Sequence, residues 1–172
     1  MTRCSAPPDP APPDPGSSDT PAPDTGTPDM AAFRAGSAGY LSNHLARLFA
    51  AELTAALAPL GLAPAQFMTL LELWAEEGLT QADLVARLDV EQATMAQTLA
   101  RMERDGLVTR APHPTDRRAR LVVLSDRARD LRAPALAAAQ GVNARAERAI
   151  GSERMAALVE VMGDLVAALR RR

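Results

Sequence analysis

Residues 78–125 read GLTQADLVARLDVEQATMAQTLARMERDGLVTRAPHPTDRRARLVVLS, and no other stretch of the chain narrows its fold as far. Leu84, Val85 and Leu88 recur at helical spacing behind Thr80, and Asp83 stands where a capping box needs a carboxylate. Met95, Leu99 and Met102 form a second helical stripe shortly afterwards. Only Leu88-Asp89-Val90-Glu91 separates the two, so the connection is a tight turn. Asp89 is expected to cap the second helix, with Gln92 completing a capping box. Gly106 ends that helix and lets the chain reverse into Leu107-Val108-Thr109-Arg110. The return strand is Arg120-Leu121-Val122-Val123-Leu124, and the tip between the strands is rich in arginine. Pro112 and Pro114 are expected to stiffen that tip outside the paired region. Ser125 suits the cap of a following helix.

Two short helices at a tight turn, followed by a basic hairpin, is the order of a winged helix–turn–helix. Its physical use is to lay the second helix in a DNA major groove. The expected fold class is therefore mainly α with a small β-hairpin wing. The flanking sequence agrees. Leu41, Leu45 and Leu48 form an apolar stripe flanked by Tyr40, His44, Phe49, Leu53 and Leu57, ended by Pro59 and Gly61. Pro64 opens a further helix, in which Phe67, Leu70, Leu71 and Trp74 hold i, i+3, i+4, i+7 spacing. Beyond Ser125, Pro134 is expected to kink or break the helix unless it falls in a first turn. Ser152 is expected to cap a last helix carrying Met155, Leu158, Val159, Met162, Leu165, Val166 and Leu169.

A net charge of -2 is unpromising for a nucleic-acid partner, but the charge is unevenly placed. Residues 1–30 hold five aspartates and one arginine, and nine of the 14 prolines; they are expected to be a disordered Pro/Asp-rich tail. Residues 31–172 hold 18 arginines against 16 carboxylates, and residues 101–120 hold six against three. The local face is what a polyanion meets. Cys4, the single cysteine, excludes an intrachain disulfide. The two histidines, His44 and His113, are too few and too separate for a metal centre. There is no Gly-rich phosphate loop, nucleophile elbow or carboxylate pair, so no enzyme and no cofactor are expected. Neither a membrane-length apolar run nor a secretory leader is read, which makes the expected location cytoplasmic.

Several of these residues resemble the MarR-type family. Leu79-Thr80-Gln81-Ala82-Asp83-Leu84 is similar to the opening of that family's first motif helix, and residues 90–108 resemble its recognition helix and the strand after it. Asp116-Arg117-Arg118 before Leu121-Val122-Val123-Leu124-Ser125 resembles its wing, and Pro64-Ala65-Gln66-Phe67 the start of the preceding helix. The resemblance covers residues 37–172 in element order. It implies a winged helix–turn–helix within 64–124 and a helical dimerisation region from 37–58 and 125–172. It further implies an obligate homodimer that binds double-stranded DNA, and a small apolar or aromatic effector held between the dimer interface and the DNA lobe. One departure is Glu91, at a place where many members carry a small capping residue.

Candidate DNA-binding residues are Gln92, Thr94, Gln97 and Arg101, since Met95, Leu99 and Met102 already fill the inward face of the same helix. Amides suit adenine edges and arginine suits guanine. The bland alternative is a solvated face. On the wing, Arg117 and Arg118 are candidates for the narrow minor groove, with Arg120 in the same cluster and Asp116 orienting a neighbouring guanidinium. An Asp–Arg pair that merely holds the turn is compatible with this. His44, Leu48, Phe67 and Trp74 are effector-pocket candidates, each equally well explained by core packing. The leading functional reading is a dimeric, ligand-responsive transcription repressor on a pseudo-palindromic operator. The alternative is a dimeric helical interaction module whose winged domain no longer binds DNA, a reading favoured by the weak overall basicity and by Glu91.

Overall fold

Leu57, Leu70, Leu73, Leu84, Leu99, Met102, Leu107 and Val122 are the large side chains almost wholly removed from water, and they come from helices, a loop and a strand. With aromatics at 3% of the chain, the core is aliphatic, and burying it supplies the main driving force for folding. The computed structural model describes residues 29–170. The chain divides into two units, residues 1–38 and 39–172.

In the first unit, helix α1 spans Met30–Gly36, and the Asp29 carboxylate accepts the Ala31 N–H at 2.9 Å to cap it. This helix begins inside the segment 1–30 read as tail; residues 1–28 lie outside the described residues.

Apart from Ala38, the remaining elements lie in the second unit. Helix α2 (Ala38–Leu57) runs into a short 3-10 turn, Ala58–Leu60. Helix α3 (Pro64–Ala75) starts with Pro64 in its first turn, where a missing N–H costs nothing. Helix α4 (Gln81–Leu88) has the expected capping box: Thr80 Oγ1 accepts the Asp83 N–H at 3.2 Å, and Asp83 Oδ2 accepts the Thr80 N–H at 2.8 Å.

The turn to helix α5 (Gln92–Arg104) departs from expectation. Asp89 does not cap α5. It terminates α4 in the left-handed conformation, φ 50°, and Val90 N–H closes the turn on the Val85 carbonyl. Aspartate tolerates this region better than most residues because its short side chain bonds locally. Glu91 occupies the N-cap of α5 and makes no capping bond, so Gln92 completes no box.

Strands β1 (Val108–Pro112) and β2 (Arg120–Leu124) pair antiparallel, Val108 opposite Leu124 and Pro112 opposite Arg120. Pro112 is thus inside the pairing and not in the loop. It sits at the terminal pair, where a residue without an N–H is tolerated. The wing is anchored on its other edge: Val122 N–H donates to the Leu79 carbonyl at 2.8 Å, beside a bridge between Thr80 and Leu121.

Helices α6 (Asp126–Asp130), α7 (Arg132–Ile150) and α8 (Ser152–Arg170) complete the chain. Ser125 Oγ accepts the Ala128 N–H at 3.1 Å, as a cap should. The chain breaks at Leu131, which puts Pro134 in the first turn of α7 and removes the reason for a kink. Ser152 is already helical, preceded by Gly151 at φ 87°. The stripe on α8 remains uncovered in a single chain: Leu158, Val159, Met162, Leu165, Val166 and Leu169 are all exposed. Among the described residues no single helix is long and apolar enough to cross a membrane. Residues 38–60 and Pro64–Ala75 have that length and apolarity only when taken together, across a 77° bend.

Candidate nucleic-acid interface

Helix α5 is two-faced by sequence. Met95, Leu99 and Met102 are 2%, 0% and 0% exposed, which orients the helix and turns Gln92, Thr94, Gln97 and Arg101 to solvent. With no side chain capping α5, its first-turn amides are left to water or to an anion. The far end of the helix is fixed. Asp105 follows it, Gly106 turns at φ 67°, and Leu107 N–H donates to the Met102 carbonyl at 2.9 Å. Ser125 Oγ donates to the Gly106 carbonyl at 2.7 Å, and Arg127 Nη1 to the Asp105 carbonyl at 2.6 Å.

At the wing tip, Asp116 Oδ1 accepts the backbone N–H of Arg118 at 2.8 Å. It shapes the turn through the backbone and pairs with no guanidinium among the described residues. His113 has a role that the sequence did not announce. Its Nδ1 accepts the N–H groups of Asp116 at 3.0 Å and of Thr115 at 3.3 Å. The imidazole therefore organises the tip that carries Arg117 and Arg118. Among the described residues, Arg117, Arg118 and Arg120 form no ion pair, whereas Arg110 is paired with Glu103 at 2.5 Å.

The wing and the helix pair meet. Thr80, Gln81 and Ala82 of the α4 start, Gln92 of α5, and Arg110, Arg118 and Arg120 of the wing line one groove of about 310 Å³. Of the sequence-predicted residues, Gln92 and Arg118 are brought together here. Gln97 and Arg101 continue along the exposed face of α5, and Arg117 lies outside the groove. Gln81 and Arg110 were not anticipated. No linear spacing marks them, because the wall is built across the hairpin and over the bridge to Thr80. The Thr80 hydroxyl and N–H hold the Asp83 carboxyl below its ordinary value, so the start of α4 beside this groove keeps an ionised cap.

The four effector-pocket candidates do not line one cavity. Phe67, 3% exposed, lines an apolar cleft of about 630 Å³ between α2, α3 and α7, with Phe49, Leu53, Met68, Leu71 and Leu136 among its walls. Leu48 lines a separate groove between α2 and α7, beside the Arg145–Glu52 ion pair. His44 is exposed and stacks near Tyr40. The Trp74 Nε1–H donates to the Ala128 carbonyl at 3.0 Å, which ties α3 to α6, and its ring meets Phe67 of the same helix edge-on. Met68 also borders a smaller cleft of about 270 Å³ against Leu88, Val90, Thr94 and Thr98. Among the described residues no three His, Cys, Asp or Glu side chains gather as a metal site would need.

Residues 60–119 match the MarR family profile. The HTH-type transcriptional regulator TtmR of Methylorubrum extorquens (strain PA1) is 37% identical over 67 residues, 39% of this chain, and the match spans about a third, 34%, of that relative. A MarR transcriptional regulator from Methanosarcina mazei Go1 superposes with a TM-score of 0.71 at 20% identity, covering 76% of this chain and 94% of that one. The transcriptional repressor CouR bound to a 23-mer DNA duplex gives 0.68 at 26% identity, with 78% and 95% covered. CouR from Rhodococcus jostii RHA1 bound to p-coumaroyl-CoA gives 0.68 at 24%, with 78% and 92% covered. The profile falls on the helix pair and wing described above, and the fold likeness extends over the flanking helices, so the chain carries a segment that matches the MarR family within a fold like that of MarR-family winged helix–turn–helix structures.

Proposed function

We propose that this protein is a sequence-specific DNA-binding transcriptional regulator, a ligand-responsive repressor that acts as a homodimer on a pseudo-palindromic operator. The observation that carries the reading is the continuity of the outward polar face of α5, with Gln92, Thr94, Gln97 and Arg101, and the groove holding the unpaired Arg118 and Arg120. A helix in the major groove reads base edges through such side chains, while wing arginines follow the phosphates and the minor groove. CouR, a fold relative, binds a DNA duplex, which supports the same use of this face.

The dimer reading is supported by α8. An apolar stripe of this length on one chain marks an interface, and two copies would present two recognition helices to half-sites about one helical turn apart. The effector reading rests on the apolar cleft between α2, α3 and α7, and is supported by the p-coumaroyl-CoA held by CouR. The reading implies a cytoplasmic protein with access to the chromosome. The interaction-module alternative rests on Glu91, whose carboxylate at the start of α5 repels phosphate.

The test is a mobility shift with DNA from upstream of the protein's own gene, titrated with salt and with unrelated DNA as competitor. A specific complex that weakens steeply with salt supports the reading. A wild-type protein that shifts no upstream fragment at low salt overturns it in favour of the interaction module.

A further inference from the structure

Among the described residues, Gln66 is one of two buried polar side chains, at 2% exposure, with Thr69 at 1%. Burying a carboxamide is costly unless its donors and acceptors are satisfied. Both ends of this one are used. Oε1 accepts the Ala63 N–H at 2.9 Å, which fixes the amide to the first turn of α3. Nε2 donates to Asp105 Oδ2 at 2.6 Å, thirty-nine residues further along the chain. Asp105 is the C-cap of α5, and its own carbonyl is held by Arg127. The end of α5 therefore hangs between two side chains, one from α3 and one from α6. The start of α5 has no side-chain cap. The buried stripe of Met95, Leu99 and Met102 sets which face of α5 turns outward, and these polar anchors at its C-terminal end bear on the direction of its axis.

We propose that Gln66 is a positioning residue for the DNA-reading face: the Gln66–Asp105 bond sets the tilt of α5, and so where Gln92, Thr94 and Gln97 meet the bases. This rests on the reading of α5 as the recognition helix. The effect belongs to sequence discrimination. Phosphate contacts tolerate a small change of tilt, because arginine side chains are long and flexible, whereas short amides at base edges do not.

The test uses the full chain and a reciprocal pair of substitutions. Gln66→Glu keeps the acceptor for Ala63 N–H but sets a carboxylate against Asp105. Gln66→Glu combined with Asp105→Asn restores a donor–acceptor pair with the roles exchanged. Amide hydrogen exchange without DNA reads the tether: exchange at residues 101–107 rises in the single variant and returns in the double. Binding to the upstream fragment and to unrelated DNA reads the positioning. The ratio of specific to unrelated affinity is expected to fall about tenfold in the single variant and to recover in the double. A simple loss of folded protein would lower both affinities together and leave the ratio unchanged. A wild-type protein that discriminates between the two DNAs, with a single variant that does so equally well, overturns the positioning role alone. A wild-type protein that binds neither DNA overturns the recognition-helix reading and the positioning role with it. Unchanged exchange in the single variant overturns the tether.

Discussion

The imidazole of His113 accepts the backbone N–H of Asp116 at 3.0 Å, while Asp116 in turn accepts the N–H of Arg118 at 2.8 Å. The wing tip is thus built inward from one histidine. His113→Ala is expected to speed amide exchange at residues 115–118 and to lower DNA affinity about fivefold, with little change in melting temperature. Exchange at the tip equal to wild type would show that the imidazole does not hold the loop.

The wing and α5 should fail differently. Arg118→Ala is expected to weaken binding to specific and unrelated DNA alike and to reduce the salt slope by about one ion. Gln97→Ala should relax discrimination at one operator position, costing about 1–3 kcal/mol if the contact is bidentate. Both side chains are exposed, so melting curves should match wild type. A silent Arg118→Ala, measured over a salt series, removes the wing from the interface.

The capping box at α4 gives a pH dependence of known sign. The Thr80 hydroxyl and N–H lower the Asp83 pKa from 3.8, so the box stabilises the fold above that value and loses its contribution as pH falls through the lowered one. The stability difference between wild type and Asp83→Asn in urea should be greatest near neutrality and shrink below pH 3.8. A difference constant with pH would mean that the ionised carboxylate is not what the cap uses.

Trp74→Phe keeps the ring against Phe67 but leaves the Ala128 carbonyl without its donor. A loss of about 1 kcal/mol is expected by chemical denaturation. DNA affinity should be unchanged, since Trp74 lines neither apolar cleft. An altered response to an apolar ligand in this variant would return Trp74 to the effector site.

For the dimer, Leu158→Asp with Leu165→Asp should yield monomers by sedimentation and abolish operator binding. The wild-type melting temperature should rise with protein concentration. A wild-type monomer at micromolar concentration ends the dimer reading.

Much of the fold was legible because its signals are local. The Thr80–Asp83 box, the Ser125 cap and the stripe of Met95, Leu99 and Met102 each follow from spacing within a few residues. The turn between α4 and α5 was misread because Asp89 suits either a helix start or a left-handed stop, and the Val90–Val85 bond that decides between them is a property of the closed turn. The exposed face of α5 could be read from its buried face. The groove could not, since Gln81, Gln92 and Arg118 converge only after β2 docks on Leu79. Gln66 stood inside a recognised segment, but its partner lies in another helix and no periodicity links the two.

Met68 is a wall of two cavities, one between α2, α3 and α7, the other along a flank of α5 at Thr94 and Thr98. Its unbranched thioether chain can lean into either space but not both at once. On the proposed reading, a guest in the larger space would press on the same side chain that borders α5. Free-energy linkage makes any such effect reciprocal: whatever factor a guest in the larger space imposes on DNA affinity, the operator imposes on the guest. If the proposed regulation holds, its strength can be measured from the DNA side, by how far a saturating operator duplex loosens a bound apolar molecule.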